Sequence, residues 1–562
     1  MADLPPPPAY EASVLQQGGR CDGETVSRVE IRTYAPSAVT AAERAADATT
    51  TAVGLERRST AAFVIRAYLR LEPGGPCTEQ RRAESERLLR AQRFVASAAV
   101  TVIPDGPGRV RIRVDVVDEL ALVGGARLGG GRIRAAHIGT ENWRGRGTTI
   151  IAGGERLENY RPGATLIVGQ SGLFGRPALG DVELRQRPLG GLARVSYAEP
   201  FLTDGQPYAL YASIVHETDY ARLVRPTEED AAVRTQRVAY YGGWIRRVGL
   251  YRRNRVVGLA GLMALGTDVR TGDQIVVVTD TGLAATTDTE LGDEYPNYGV
   301  GRLAVMAAFR ALQFRTMRRL ESLRAEEDVG LGIQVNTLVG PSLGLSGRSR
   351  DLLVASDLYL GVGEARSFAA FNLRAEGRRG REGGWDGIVS GARLSWHRLP
   401  SERRTRVLSI SGAAVERMVF PVQLTFRDPD GGLVGAPGAH DAGGQRLVAR
   451  LEERWLMGWQ RRRASIALAA FADAGKLWAG DVPYGATSPV RASLGVSLLG
   501  AYPAAGKRIY RVDVAVPINA GPQARGVAVR FHSSDRTGSF WREPHDVARA
   551  RSGTGPVTLL RW

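Results

Sequence analysis

Residues 431–475 read GGLVGAPGAHDAGGQRLVARLEERWLMGWQRRRASIALAAFADAG and contain the pattern that decides the fold. The stretch begins with a loop rich in glycine, alanine and proline. Two alternating segments follow, joined by a basic turn at residues 461–463. Alternation of apolar with polar or small residues places one set of side chains on each face of a β-strand. The stretch therefore predicts two neighbouring antiparallel strands with unlike faces.

The two segments carry charge on one face and apolar or small residues on the other. In the first segment one face has Arg446, Arg450, Glu452 and Arg454, the other has Leu447, Ala449, Leu451 and Trp455, and Val448 and Glu453 interrupt the pattern. In the second segment one face has Ile466, Leu468, Ala470 and Ala472, and the other has Ser465, Ala467, Ala469, Phe471 and Asp473. A barrel with lipid outside and water inside needs this division. The fold class predicted is mainly β, with a transmembrane antiparallel β-barrel.

Three features of the stretch resemble the C-terminal barrel of the BamA/TamA outer-membrane assembly superfamily, the bacterial surface antigen barrels. They are the glycine-rich loop, a strand ending in Glu452-x-Arg454-Trp455, and Phe471-x-Asp473-x-Gly475. In that family the loop folds back into the lumen, and its Arg-Gly-aromatic tip pairs with acidic groups on the two following strands. The resemblance implies a lumenal loop and interior charge cluster made of Val434, Gly435, Arg450, Glu452, Arg454, Phe471, Asp473 and Gly475.

The tip of the loop departs from the family pattern. It aligns with Val434, Gly435 and Ala436, so a valine stands where the family has arginine. Two lumenal carboxylates without a cation would be costly. Arg450 and Arg454 lie on the same face as Glu452, and we expect them to supply the missing positive charge. The alternative is that these residues only pack the lumen.

The amino-acid composition is compatible with a β-barrel and argues against some other classes of protein. The 562 residues include 69 glycines, and 75 Lys and Arg against 58 Asp and Glu give a formal net charge of +17. No apolar run approaches the ~20 residues of a membrane helix. A basic chain raises the question of nucleic-acid binding. However, the arginines are spread through the strands and no zinc-finger, helix-turn-helix or RNA-recognition pattern is present, so we expect no nucleic-acid partner.

Residues 26–119 predict a small α+β domain. Residues 26–33 and 109–117 alternate as strands, residues 99–103 form a further strand, and helices begin at Ser59 or Thr60 and at Thr78. This order of strand, two helices and two strands resembles a POTRA (polypeptide-transport-associated) domain, with the match carried by residues 64–71, 88–94 and 118–119. The resemblance implies a periplasmic domain whose sheet edge, at residues 99–103, receives an extended client peptide. The alternative is a generic α+β domain without a transport role.

The two cysteines, Cys21 and Cys77, both lie in the first 80 residues. One disulfide across a small periplasmic domain is the reading we favour. Two unrelated buried thiols are the alternative. Either reading places both cysteines outside the barrel.

The predicted domains are a disordered segment 1–25, the POTRA-like domain 26–119, the barrel 120–533 and a tail 534–562. The superfamily implies about 16 strands, with a seam between a first strand near 131–139 and a last strand near 525–533. More alternating segments than this are present, and we assign the excess to linker, hairpins or extensions. The tail is expected to tuck back on the barrel. A true last strand at 556–562 is the alternative.

The sequence contains few candidate motifs for catalysis, metal binding or cofactor binding. Residues 340–344 match the Gly-x-Ser-x-Gly nucleophile elbow, but no helix pattern follows, and a turn explains them better. The six histidines show no metal-ligand spacing, and the glycine-rich runs lack the Lys-Ser/Thr of a phosphate loop. We therefore expect no enzyme, no cofactor and no metal site.

The function implied by the resemblance is insertion or translocation of other proteins at the bacterial outer membrane. Its implied partners are outer-membrane lipid, unfolded client proteins that meet the POTRA-like domain and the barrel seam, and periplasmic chaperones or lipoproteins. A passive pore or structural surface barrel is the first alternative. An all-β protein that never meets lipid is the second alternative. The one observation in its favour is that residues 1–13 show no secretory signal.

Overall fold

The computed structural model describes residues 19–34, 59–120, 122–129, 132–155, 162–187, 189–225, 229–251, 256–279, 283–285, 294–343, 350–380, 382–436, 440–457, 464–519, 526–534 and 540–551. Most of residues 1–25, expected to be disordered, lie outside this set. Asp22 to Thr25 do not, because they already belong to the first strand. The expectation of disorder throughout residues 1–25 is therefore wrong for residues 22–25.

The N-terminal part is a four-stranded sheet with two helices. The strands are β1 (Asp22–Tyr34), β2 (Pro76–Thr78), β3 (Val95–Pro104) and β4 (Arg109–Asp118), in the order β2-β1-β4-β3, and the helices are α1 (Ala62–Arg66) and α2 (Glu79–Arg90). β1 runs parallel to β4, and β3 runs antiparallel to it. The result is a small α+β domain.

Alternation on β4 and a capped helix explain how this domain folds. Ile112, Val114 and Val116 are fully buried and pack in one core with Leu88 and Leu89 of α2. The Thr78 hydroxyl accepts a hydrogen bond from the Arg81 amide at 3.3 Å and so caps α2. A disulfide joins Cys21 to Cys77 with their Cα atoms 5.0 Å apart, and ties the start of β1 to β2.

The rest of the chain forms one closed antiparallel β-barrel, and this part of the predicted fold class is confirmed. Its twenty strands are β5 (Leu122–Gly129), β6 (Arg132–Trp143), β7 (Thr148–Glu155), β8 (Gly163–Ser171), β9 (Leu179–Arg187), β10 (Gly190–Glu199), β11 (Tyr208–Leu223), β12 (Ala231–Tyr251), β13 (Val256–Val278), β15 (Tyr298–Arg318), β16 (Glu326–Pro341), β17 (Asp351–Glu364), β18 (Ser367–Gly380), β19 (Trp385–Ser401), β20 (Arg404–Glu416), β23 (Gln445–Leu456), β24 (Ser465–Trp478), β25 (Arg491–Ala501), β26 (Ile509–Pro517) and β27 (Ala528–Ser534). A short strand β14 (Leu283–Ala285) adds to the end of β13.

The expectation of about 16 strands is wrong, because the barrel has 20. Segments that we assigned to linker or hairpins belong to the ring. Two members, Leu122–Gly129 and Gly163–Ser171, are short and carry several glycines, so their alternation is weak. The number of strands is set by how the whole ring closes. Alternation within one strand therefore does not encode it.

The outer face of the barrel is apolar. On β23 the side chains of Leu447 and Leu451 are 45% and 50% exposed, and on β25 Val496 is 59% exposed. Their neighbours along the strands point inward, and Arg446 and Glu452 are each only 3% exposed. Within the described residues, no helix is long and apolar enough to cross a membrane.

The small domain docks on the turns at one end of the barrel. The Ala61 amide donates to the Gly145 carbonyl at 2.8 Å, and the Asn142 amide group donates to the Thr60 hydroxyl at 2.7 Å. Arg90 of α2 makes a two-pronged ion pair with Asp328 of β16, with both nitrogen–oxygen distances at 2.8 Å. The turn NWRGRG at 142–147 therefore holds the entry to the domain's first helix.

Two segments enter the barrel interior from its ends. One is the long connection between β20 and β23, which contains the short strands β21 (Leu424–Thr425) and β22 (Ala442–Gly443). The other follows β27 and includes helix α3 (His545–Ala550). Phe426 and Leu433 of the first segment pack with Val547 of the second in one buried cluster.

Asp118 makes the docking of the small domain sensitive to pH. Its carboxylate accepts hydrogen bonds from the Thr60 amide at 2.8 Å and the Thr60 hydroxyl at 2.7 Å, and burial raises the pKa of Asp118 to about 6. Because an unfolded Asp has a pKa of about 3.9, the folded domain retains this proton in the window between the two values. This contribution to stability is complete below about pH 4 and is lost as the pH rises through about 6.

We therefore expect the urea midpoint of the small domain, followed by limited proteolysis, to fall between pH 4 and pH 6.5. Asp118→Asn should flatten that part of the pH profile. The control is Asp22→Asn, because Asp22 is exposed and should leave the profile unchanged. A wild-type slope retained in Asp118→Asn would contradict the prediction.

Candidate functional site in the barrel interior

Glu452 lies at the centre of an ion-pair network on the inner wall. Its carboxylate oxygens contact Arg454 Nε at 2.5 Å and Arg511 Nη2 at 2.9 Å. Arg511 also contacts Asp513, with Nε 2.5 Å from Oδ1, and the Ser497 hydroxyl donates to the same Asp513 oxygen at 2.6 Å. Arg454 donates further to the Leu320 carbonyl at 3.0 Å. Each buried carboxylate here therefore faces a cation or a hydroxyl donor.

Asp473 forms a second centre one strand away. Arg450 Nη2 lies 2.8 Å from its Oδ2 atom, and the Ser493 hydroxyl donates to its Oδ1 atom. The structure thus brings Arg450 to Asp473 and Arg454 to Glu452, which are the two cations that we expected to compensate the lumenal carboxylates.

The loop tip reaches Asp473 through its backbone. The Val434 amide donates to Asp473 Oδ2 at 3.1 Å, and the Gly435 amide donates to the Ser493 hydroxyl at 3.2 Å. A Cβ atom on Gly435 would lie 2.5 Å from Ser493 Cβ, so no side chain fits there. The tip therefore contacts the Asp473 carboxylate through the backbone amide of Val434, and not through a side chain.

Phe471 and Gly475 make room for the cluster on β24. The guanidinium carbons of Arg450 and Arg511 lie 5.3 Å and 5.7 Å from the centre of the Phe471 ring, a cation–π arrangement. A Cβ atom on Gly475 would lie 2.8 Å from the Phe426 ring of the loop. The glycine therefore lets the loop pack directly against the strand.

Four residues of this network are absent from the predicted site: Ser493, Ser497, Arg511 and Asp513. A signal for two of them exists, because Arg511 and Asp513 alternate with the outward Val512 and Val514 on β26. Their pairing with Glu452 is not visible in the sequence, since β26 and β23 are separated by two strands of the ring. Ser493 and Ser497 show the same alternation on β25, where Leu494 and Leu498 point outward.

The seam of the barrel lies between β27 and β5, and not at residues 131–139, which belong mostly to the second strand of the ring. In the described residues the seam ladder consists of Arg530 opposite Arg127 and Phe531 opposite Ala126. The neighbouring β26–β27 ladder runs from Ile509 opposite Ser534 to Ala515 opposite Ala528. The seam is therefore the shortest pairing between neighbouring strands of the twenty-strand ring.

Side chains cross the seam where the ladder is absent. Tyr510 donates its hydroxyl to the Leu122 carbonyl at 3.0 Å, and the Ser533 hydroxyl donates to the Gly124 carbonyl at 2.9 Å. Arg508, which is almost fully buried, donates to the Leu120 and Leu122 carbonyls at 2.7 Å and 3.0 Å. These contacts give the carbonyls of Leu120, Leu122 and Gly124 side-chain donors from the other side of the seam.

The proposed client edge of the small domain is occupied. At Val100 the amide donates to Glu86 Oε1 at 3.1 Å, and the carbonyl accepts from Arg82 Nη1 at 3.2 Å. The Val102 carbonyl accepts from the Gly19 amide at 3.1 Å. An incoming strand at residues 99–103 would have to replace all three contacts.

The Gly-x-Ser-x-Gly sequence lies where β16 ends. The Ser342 hydroxyl accepts a hydrogen bond from the Asp351 amide at 3.0 Å, and residues 344–349 lie outside the described residues. Across the part of the chain that the structure describes, no group of three His, Cys, Asp or Glu side chains is placed to hold a metal ion.

These features define a closed barrel with an apolar outer face, a charged and filled interior, and one weak seam. No protein-family model and no curated protein matches the chain. Among solved structures, BamA from Haemophilus ducreyi lacking POTRA domains 1–3 is 11% identical and matches with a TM-score of 0.40 over 91% of this chain and 85% of that chain. CdiB from Acinetobacter baumannii is 9% identical, with a TM-score of 0.41 over 91% and 74% of the two chains. CdiB from Escherichia coli is 10% identical, with a TM-score of 0.40 over 91% and 77%. TM-scores at this level carry no inference about function.

Removing Arg511 should destabilise the barrel strongly. Arg511→Ala leaves Glu452 and Asp513 buried with one cation fewer, and breaking such a buried network costs about 3–5 kcal/mol. On an unboiled gel a folded barrel runs as a compact band, and the unfolded chain runs as a separate band. In this variant the compact band should convert to the unfolded band at a clearly lower temperature than in the wild type. The matched control is Arg270→Ala, because the side chains of Arg270 and its partner Asp268 are 67% and 51% exposed and such a pair is worth about 0–1 kcal/mol. Equal conversion temperatures for the two variants would refute the role of Arg511.

A side chain at the loop tip should displace the loop. In Gly435→Ala the added methyl group would overlap Ser493, so both tip hydrogen bonds are expected to break. We expect faster protease cleavage of the loop, with the barrel still compact on the gel. Gly412→Ala is the control, because a Cβ there would lie 3.8 Å from the nearest atom. Unchanged cleavage in Gly435→Ala would show that the tip tolerates a side chain.

Proposed function

We propose that the chain is a barrel of the bacterial outer membrane that inserts or translocates other proteins, with its N-terminal domain acting as a POTRA domain in the periplasm. The motif resemblance around residues 431–475 supports this proposal. The short seam between β27 and β5 is the single observation that carries it. We propose neither an enzymatic activity nor a cofactor for the chain.

The physical argument starts from backbone hydrogen bonding in lipid. An unpaired N–H or C=O group in the hydrocarbon region costs several kcal/mol, so barrels close completely. Here the closing ladder of the described residues is limited to two residue pairs, and side chains contact the carbonyls of Leu122 and Gly124 on the first strand. Side-chain contacts can be released without breaking a long ladder. The exposed edges of β5 and β27 would then accept an incoming client strand, which gains its own backbone partners.

The docking of the small domain places it close to this seam. Glu119, which follows β4, accepts from the Lys507 amide at 2.8 Å, and Arg508 contacts Glu141 of β6. Arg93, just after α2, lies 3.4 Å from Glu141. A client peptide held by the small domain would therefore be delivered at the periplasmic end of β5 and β26. Binding at the β3 edge requires Glu86 and Arg82 to move away first.

A passive pore is the second candidate. The filled interior disfavours it, because the loop 417–444 and the segment 540–551 both occupy the lumen. Outer-membrane lipid is the partner expected for the apolar outer face in either case. Periplasmic chaperones or lipoproteins remain further proposed partners of the small domain.

A disulfide across the seam tests the proposal. Ala126 and Phe531 are Cα partners, so Ala126→Cys with Phe531→Cys should lock β5 to β27. We expect the oxidised lock to abolish folding of a client barrel into liposomes, and reductant to restore it. The matched control is Val496→Cys with Val514→Cys, which cross-links β25 to β26 in a complete ladder and should leave activity unchanged.

The same protein should fractionate with the outer membrane and run as a compact, heat-sensitive band on an unboiled gel. A locked seam with full client-folding activity would overturn the seam mechanism. A native protein that is absent from the membrane fraction would overturn the function itself. Reductant is also added to the control, because it acts on the Cys21–Cys77 disulfide in every variant.

A further inference from the structure

The segment after β27 returns into the barrel as residues 540–551. Phe540 is buried against Phe368 and His397, with ring centroids 4.6 Å and 5.6 Å away. Trp541 is buried, and the Arg374 guanidinium lies 6.0 Å from its ring centre. Phe368 begins β18 and His397 lies near the end of β19, so the segment enters from the end where the small domain docks.

Ion pairs hold the segment to the inner wall. Glu543 accepts from Arg374 Nη1 at 3.1 Å and, through its other oxygen, from Arg551 Nη2 at 2.7 Å. Asp546 accepts from both Arg446 Nη atoms, at 2.5 Å and 3.0 Å. Arg551 in turn donates to the Arg374 carbonyl at 3.1 Å. The segment therefore has anchors at each end and in the middle.

The anchors lie on opposite walls of the barrel. Arg549 Nη2 is 3.1 Å from Asp219 on β11, whereas Asp546 is bound to Arg446 on β23. Counting round the ring, β23 is the ninth strand after β11, and half of a 20-strand ring is ten. Helix α3 and its flanks therefore bridge almost the full width of the lumen.

The inner loop completes the closure. Val547 and Ala550 are fully buried in one cluster with Phe426 and Leu433 of the loop. A Cβ atom on Gly431 would lie 2.7 Å from Pro544, so the loop glycine allows the helix to begin directly against it. The Asp546 amide also donates to Asp428 of the loop at 3.0 Å. Loop and segment form one body across the lumen.

The attachment is of a kind that can be released. Among the described residues, the hydrogen bonds from residues 540–551 to the barrel and loop all involve a side chain, and no backbone ladder forms. A pocket also remains between the loop, the segment and the wall, lined by Asp430, Arg450 and Arg542. The segment is therefore held by side-chain contacts, which are charge pairs and apolar packing, beside unfilled space, and not by continuous strand pairing.

We propose that residues 540–551 are a displaceable plug that closes the barrel lumen and opens it when the ion pairs of Glu543, Asp546 and Arg551 are broken. An empty barrel of this size would enclose an aqueous channel, since natural barrels of 16 to 18 strands already do so. The plug adds a second, lumenal route, controlled separately from the seam. The proposal does not depend on the insertion function.

Ion conductance of the full chain in planar bilayers tests the plug. The wild type should be nearly closed, and Asp546→Ala with Arg551→Ala should raise the conductance roughly tenfold, because loss of these anchors opens the lumen. The matched control is His545→Ala, an exposed residue of the same segment that does not line the pocket and should keep the wild-type value. A compact band on the unboiled gel shows that each variant has folded.

A disulfide lock distinguishes an opened plug from a damaged barrel. A Cβ atom on Gly391 would lie 3.5 Å from Val547 Cγ1, so Gly391→Cys with Val547→Cys should cross-link the plug to β19. Added to the open variant, the oxidised lock should restore the closed state, and reductant should reopen it. Reductant on the wild type controls for the Cys21–Cys77 disulfide.

Two results would overturn the proposal. One is a folded double variant with the conductance of the wild type. The other is an oxidised lock that conducts as freely as the open variant. Client insertion by a chain with a closed plug bears only on the seam, so the two mechanisms fail independently.

Discussion

The hydrogen-bonded closure of the ring between β27 and β5 is the constraint on which the rest of the structure depends. Every other neighbouring pair of ring strands forms a longer ladder, and the seam keeps only two registered pairs. Backbone groups of β5 that this short ladder leaves over need other hydrogen-bond partners, because an unsatisfied backbone group is costly away from water. Tyr510 and Arg508 therefore contact its carbonyls from the next strand but one. The pairing of β27 with β5, the weakest in the barrel wall, thus lies where the small domain also contacts the barrel.

The interior compensates for the width of the barrel. Twenty strands leave a lumen that side chains alone do not fill, and this chain fills it with a loop and a C-terminal segment. Both are attached through charge: the loop tip donates two amides to Asp473 and Ser493, and the segment places Asp546 on Arg446. The many arginines of the sequence are thereby explained in part as partners for buried carboxylates. Buried pairs of this kind add little net stability, because the cost of removing both charges from water opposes their attraction.

How much could be predicted differs between the strands and their partners. The inward faces of β23 and β24 follow from alternation, because successive side chains on one strand are local in sequence. The placement of Arg450 against Asp473 follows as well, since the two strands are adjacent. Arg511 beside Glu452 does not follow, because that contact crosses two strands of the ring. The hydrogen bond from the Val434 amide to Asp473 could not be predicted either. Nearly every residue has a backbone N–H group, so the residue type does not show which one will donate. The contacts at the β3 edge could not be predicted for a similar reason: Glu86 and Arg82 reach Val100 from a helix.

By itself the sequence determined that the chain forms antiparallel strands with one apolar and one polar face, preceded by a small α+β domain. Periodicity and capping are short-range properties, and they are written in neighbouring residues. The tertiary structure alone decided the number of strands, the location of the seam, and the course of residues 540–551 through the lumen. Each of these depends on how the ring closes, and closure is a property of all twenty strands together that no single segment encodes.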